Sequence, residues 1–182
     1  MKRWLAFLLA WAVLAAIHEG THALTAAWYG VFESFGVTPF GFEVRFLTPV
    51  HERSGVHWGV IAGASNLVTV AMGYLLLFLG RGWAHLRGSF ATASVFYLTL
   101  LALLADPLNL SIGPFLYGGD ANGIAAGFCV DRYVVQGVAL VLLLTNRELI
   151  AGRLFPLYGV EVRHPLFRPL VRWGSQPQAR DR

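Results

Sequence analysis

Residues 5–30 read LAFLLAWAVLAAIHEGTHALTAAWYG, and the fold turns on how this stretch is read. It is an apolar run broken in its interior by His18, Glu19 and His22. About 20 apolar residues suffice for a helix to cross the hydrocarbon core of a bilayer, and the run is long enough. A carboxylate near mid-membrane costs on the order of 3 kcal/mol or more, so it is rarely kept there without a partner or a function. The three polar residues therefore point to a site.

The rest of the chain agrees with a membrane setting. Of its 182 residues 56% are hydrophobic and only 13% charged, more apolar than a soluble domain of this length. Further apolar runs lie at 56–80, 89–105, 108–129 and 133–145, the second and fourth of these short for a span. The expected fold is an all-α polytopic membrane protein with four to five transmembrane or re-entrant helices and a small β-hairpin between the first two. A membrane-embedded core over 1–146 and a basic, cytoplasmic tail over 147–182 follow, in a multi-pass protein expected in a prokaryotic plasma membrane. Met1, Lys2, Arg3 and the Ala10-Trp11-Ala12 run have the look of a secretory leader. The apolar run continues past them to Tyr29, as a span does and a removed leader does not.

The formal charge of +4 comes largely from arginine, seven of them after residue 146. Basic residues beside a membrane anchor to anionic lipid on the cytoplasmic side. No interleaving of aromatic and basic residues accompanies them, so no nucleic-acid partner is expected. Lys2 and Arg3 place the N-terminus inside, and Arg81 and Arg87 place the second loop inside. Five full crossings would put the arginine-rich tail outside, whereas four keep it inside, so one of the later segments is expected to be broken or re-entrant. With Cys129 the single cysteine, no internal disulfide can form.

On a helix, residues four apart share a face about 6 Å apart along the axis, so His18 and His22 can reach one metal ion. Glu19 sits about 100° round, beside the metal rather than on it. This is the H-E-x-x-H arrangement, in which two neutral imidazoles bind Zn²⁺ and the glutamate serves as general base. A catalytic zinc takes a third protein ligand. The segment DPLNLSIGPFLYGGDANGIAAGF, residues 106–128, offers Asp120 in its interior and Asp106 at its edge, and Asp120 is the better placed. Gly119, Gly123 and Gly127 repeat every four residues, a spacing that lets helices approach closely and is expected to bring this segment against the first span. The second span repeats the device with Gly59 and Gly63, followed by Ala64, Ser65 and Asn66. Asn66 either bonds a neighbouring helix or binds substrate.

His18-Glu19-Gly20-Thr21-His22, Gly63-Ala64-Ser65-Asn66 and the run from Asn109 to Asp120 together resemble the site-2 protease family of intramembrane zinc metalloproteases. The resemblance implies His18 and His22 as zinc ligands, Glu19 as the base, Asn66 as the asparagine of the middle helix and Asp120 as the aspartate ligand. It covers most of residues 4–129. The family's approach to that aspartate ends in Leu-Asp-Gly, where this chain has glycines before Asp120 and Ala121 after it. The implied activity is endoproteolysis of transmembrane protein substrates within the lipid bilayer.

Between the first two spans, GFEVRFLTP alternates Phe42, Val44 and Phe46 with Glu43 and Arg45, a strand pattern. VFESFGV supplies a partner strand, and Pro39 and Gly41 supply the turn. A helical substrate must be extended before its backbone can reach a metal, and an exposed strand edge would hold it by strand addition. Two rival readings remain at this point. One is a membrane zinc peptidase of another class, completed by Glu148 or Glu161. The other is a non-catalytic membrane scaffold or transport-related protein that binds an ion. A binding site has no need of an unligated carboxylate at Glu19, and that position separates the rivals.

Overall fold

The computed structural model describes residues 2–38, 41–84, 90–162 and 164–171. Pro39, Arg87, Arg163 and the arginines at 172, 180 and 182 lie outside the described residues. Helix α1 spans Lys2–Trp28, and strands β1 (Phe32–Thr38) and β2 (Gly41–Phe46) follow it. Then come α2 (Val56–Ala84), α3 (Phe90–Ser111), the short α4 (Gly119–Phe128) and α5 (Arg132–Leu149). Among the described residues four helical stretches are long and apolar enough to cross a membrane: Lys2–Trp28, Val56–Trp83, Phe90–Phe115 and Arg132–Leu157. They point to a multi-pass membrane protein.

The side chains are distributed as a lipid solvent would require. Leu24, Leu67 and Phe78 are 75%, 73% and 83% exposed, whereas Ser65, Thr69, Thr99 and Asn146 are fully buried. Apolar groups thus face outward, and polar groups find partners inside the bundle. The hydroxyls of Thr69 and Thr99 lie within hydrogen-bond distance of carbonyls four residues back, Ser65 and Val95, a bond open to a hydroxyl on a helix in such a core.

The expected break between residues 105 and 108 does not occur. Helix α3 runs straight through Pro107. Proline has no N–H for the carbonyl of Leu103 four residues back, and Asn146 of α5 supplies the missing donor, its Nδ2 lying 2.7 Å from that oxygen. Asn146 in turn accepts from the Tyr74 hydroxyl of α2 at 2.5 Å, so one asparagine both repairs α3 and ties three helices together. The break comes later, in the turn and 3₁₀ segment around Gly113–Phe115, after which α4 is only 10 residues long, too short to span. The run expected as a span over 108–129 is therefore the end of one helix plus a short returning one.

The last span is longer than expected. Beyond residue 146 the helix continues through a π turn, Ile150–Leu154, to Leu157. Ile150, Leu154 and Phe155 pack with Leu103 in a core that Leu77, Phe96 and Leu100 surround. Arg147 interrupts the apolar run in sequence only, since its guanidinium turns to the backbone carbonyls of Leu166 and Arg168 at 2.6 Å each.

Glycines set the position of α4. A side-chain carbon at Gly127 would lie 2.3 Å from the Cα of Gly59, and one at Gly123 would meet Ala62 at 2.7 Å. The glycine stripe thus packs against α2, not against the first span as expected. The hairpin pairs antiparallel with Phe35 opposite Val44 and Val37 opposite Phe42. Phe32 and Phe46 hold it to a cluster of Ala26, Trp58 and Ile61 on α1 and α2. Among the described residues the sheet has two strands, so each strand keeps one unpaired edge.

Candidate metal centre

His18 and His22 stand on one face of α1 with their Nε2 atoms 3.2 Å apart. The carboxylate of Asp120, in the first turn of α4, closes the triangle. Its Oδ2 lies 3.3 Å from His18 Nε2 and its Oδ1 3.4 Å from His22 Nε2. A helix N-terminus favours a carboxylate in that position. Around a tetrahedral ion with bonds of about 2.0–2.1 Å, neighbouring ligand atoms stand about 3.3–3.4 Å apart. The two Nε2 atoms, and each of them with one of the two Asp120 oxygens, stand close to that separation. Two imidazole nitrogens and one carboxylate oxygen form a donor set that could hold a metal ion.

The far side of each imidazole is also held. His18 Nδ1 lies 3.2 Å from both oxygens of Asp106, and His22 Nδ1 donates to the carbonyl of Ile61 at 2.8 Å. An acceptor at Nδ1 places the proton there and leaves the Nε2 lone pair for a metal. Asp106 also accepts a hydrogen bond from the Thr69 hydroxyl. Asp106, 7% exposed, thus stands behind His18 on its Nδ1 side, while Asp120 belongs with His18 and His22 to the cluster that could hold a metal.

The Gly63-Ala64-Ser65-Asn66 run lies under the same cluster. Asn66 Nδ2 donates to Asp120 Oδ2 at 3.0 Å and to the Ala62 carbonyl at 2.9 Å, and Ser65 Oγ lies 3.0 Å from His22 Nε2. Asn66 is buried and does not line the neighbouring cavity, so its contacts are those of a residue orienting the aspartate. The bond to Asp120 joins α2 to α4, as the helix-bonding reading of this asparagine expects.

Glu19 lines a cavity of ≈ 490 Å³ beside the histidines and Asp120. Val44 and Phe46 of β2, Arg53, Trp58 and Tyr117 form other parts of its wall. The Arg53 guanidinium lies over the rings of Phe46 and Trp58, 4.5 and 5.1 Å from their centroids. Burial there lowers its pKa from the ordinary value. The Tyr117 hydroxyl donates to Asn109 Oδ1. Burial, reinforced by the Asp120 and Asp106 charges, raises its pKa and keeps it a donor.

The chain matches no family model, no curated protein and no solved structure. Its own geometry therefore carries the functional reading. That geometry brings His18, Glu19, His22 and Asp120 to one place and leaves Glu148 elsewhere. Glu148 pairs with Arg147 and accepts from the backbone N–H groups of Leu170 and Val171, and neither it nor Glu161 lines the cavity. Sequence reasoning did not single out Thr69, Tyr117, Arg53 or the Ile61 carbonyl. A carbonyl leaves no mark in a sequence, but Tyr117, three residues before Asp120, could have been read as facing the same site.

Proposed function

We propose that this chain is an intramembrane zinc endopeptidase that hydrolyses peptide bonds in or near the transmembrane segments of other proteins. The observation that supports it best is the convergence of His18 Nε2, His22 Nε2 and the Asp120 carboxylate at ligand spacing, with Glu19 on the wall of the same cavity. His18, His22 and Asp120 would hold the ion. When bound, zinc supplies Lewis acidity, polarising a peptide carbonyl and bringing the pKa of water to about 7.

The chain's own groups do the rest. Glu19, outside the ligand set, is free to take a proton from water and pass it to the leaving amine. Asp106 and the Ile61 carbonyl keep the two imidazoles in the tautomer that offers Nε2. Asn66 fixes Asp120. Strand β2, with Val44 and Phe46 on the cavity wall, offers an extended backbone on which an unwound substrate segment can be held by strand addition. The surrounding bundle buries these groups, which limits water to the cavity.

Glu19→Gln tests the reading, because it keeps shape and most hydrogen bonding but removes the base. The variant should insert, fold and bind zinc like the wild type while losing cleavage by a factor of about 10² to 10⁴. Cleavage of a membrane substrate at the wild-type rate by Glu19→Gln would exclude the protease. Equal zinc content in the two proteins, with no substrate cut by either, would favour an ion-binding protein.

A further inference from the structure

We infer that the cleft opens on the non-cytoplasmic side of the membrane, so that the peptide it takes is the outer end of a transmembrane segment or the stretch just beyond it. The orientation follows from charge and packing, and only the substrate class rests on the protease reading above.

The packing sorts the helices into two ends. Phe7 of α1 meets Tyr97 of α3 edge to face, Gly80 of α2 lies against Leu157, and Phe96 of α3 meets Phe155 and Tyr158. The start of α1, the end of α2, the start of α3 and the end of the last span therefore share one end. At the other end His18 meets Asp106, His22 meets Ile61, Gly59 meets Gly127, and Gln136 donates to the Ser111 carbonyl. That second end carries the metal cluster, the hairpin and α4.

The cationic residues of the described segments are divided unequally between the ends. Lys2, Arg3 and Arg81, with Arg147, Arg153 and Arg168 on the second half of the last span and after it, belong to the first end, against Arg45, Arg53 and Arg132 at the second. Lysine and arginine near span ends are retained on the cytoplasmic side. The first end is accordingly cytoplasmic and the second is not. Aromatic residues mark both boundaries, as interfacial belts do: Trp4 and Trp83 at the first, Trp28 and Tyr29 at the second, all of them exposed.

Depth agrees with the assignment. Glu19 is nine residues from Trp28, about 13 Å along α1, but seventeen from Lys2, about 25 Å. The cavity wall is drawn from the hairpin, the 50–53 stretch and the α3–α4 region, and none of its residues belongs to the arginine-bearing end. A substrate would reach Glu19 from the outer interface, over Phe46 and Arg53. Cleavage there separates an outer fragment from a membrane-retained remainder.

Orientation can be measured without any enzyme activity, so its failure and that of the protease reading are separable. Cys129 is the sole cysteine and is exposed at the C-terminus of α4, at the second end. In intact cells a membrane-impermeant maleimide should label Cys129, and Ser34→Cys in a Cys129→Ser background. His164→Cys in that background should react only after the membrane is opened. The reverse pattern, or equal labelling of both ends in intact cells, overturns the inference. If the outer positions prove unreactive, alkaline phosphatase fused after residue 182 decides, since it should be inactive there and an active fusion also overturns the orientation.

Discussion

Removing Asp106 tests the division of labour between the two aspartates. Its carboxylate lies outside the His18–His22–Asp120 cluster; both oxygens lie 3.2 Å from His18 Nδ1, and the Thr69 hydroxyl donates to it. Loss of such a support leaves all three ligands present but frees the imidazole to turn and removes the acceptor that makes it a better donor. Support of this kind is worth about 10- to 100-fold in metal affinity, or about 1.4 to 2.7 kcal/mol. Asp106→Ala should therefore bind zinc about 10- to 100-fold more weakly than the wild type, and Asp106→Asn, which keeps an oxygen for Nδ1–H, should lose less. Asp120→Ala removes a ligand and should lose the ion altogether. The assay is competition with a chromogenic chelator on protein purified in detergent, with helicity checked in parallel. Zinc lost completely from Asp106→Ala but retained by Asp120→Ala would exchange the two roles, and an Asp106→Ala affinity within twofold of the wild type would remove the support.

Two further outcomes test the packing and the hairpin. Gly127→Ala places a methyl within 2.3 Å of the Gly59 Cα, where backbone must shift, so it should lower stability by about 1–3 kcal/mol and reduce zinc content through the displaced Asp120. Gly63→Ala, whose methyl would stand 3.6 Å from Ile124 Cγ1, should be tolerated, and equal thermal unfolding of the two variants would refute the close crossing. Val44→Pro distorts a strand that carries no ligand, so zinc content should hold while cleavage slows; unchanged turnover would count β2 out as a docking edge.

Much of this protein was legible without a fold. Apolar length alone marks the first two spans, because a span has to satisfy its backbone internally and face lipid over some twenty residues. The four-residue spacing of His18 and His22 fixes their common face, and period-two alternation at Phe42, Val44 and Phe46 marks β2, because both repeats are local properties of one element. Charge asymmetry argued for four crossings rather than five, a count that the broken 108–129 run matches.

What the sequence left open depends on contacts between distant residues. The apolar runs at 89–105 and 108–129 read as separate, and Asn146, 39 positions after the Pro107 that lies between them, bonds the Leu103 carbonyl where α3 passes through. The glycines of α4 announce a close approach but not its partner, which turns out to be α2 because Gly59 and Ala62 are small where they meet. Asp106 and Asp120 are the same residue type fourteen positions apart. Which one joins the Nε2 side of the histidines and which supports the Nδ1 side is set by the turn that ends α3 and sends α4 back against α2. A side chain's role around a metal is a matter of direction as well as identity, and direction is fixed only when the helices are packed.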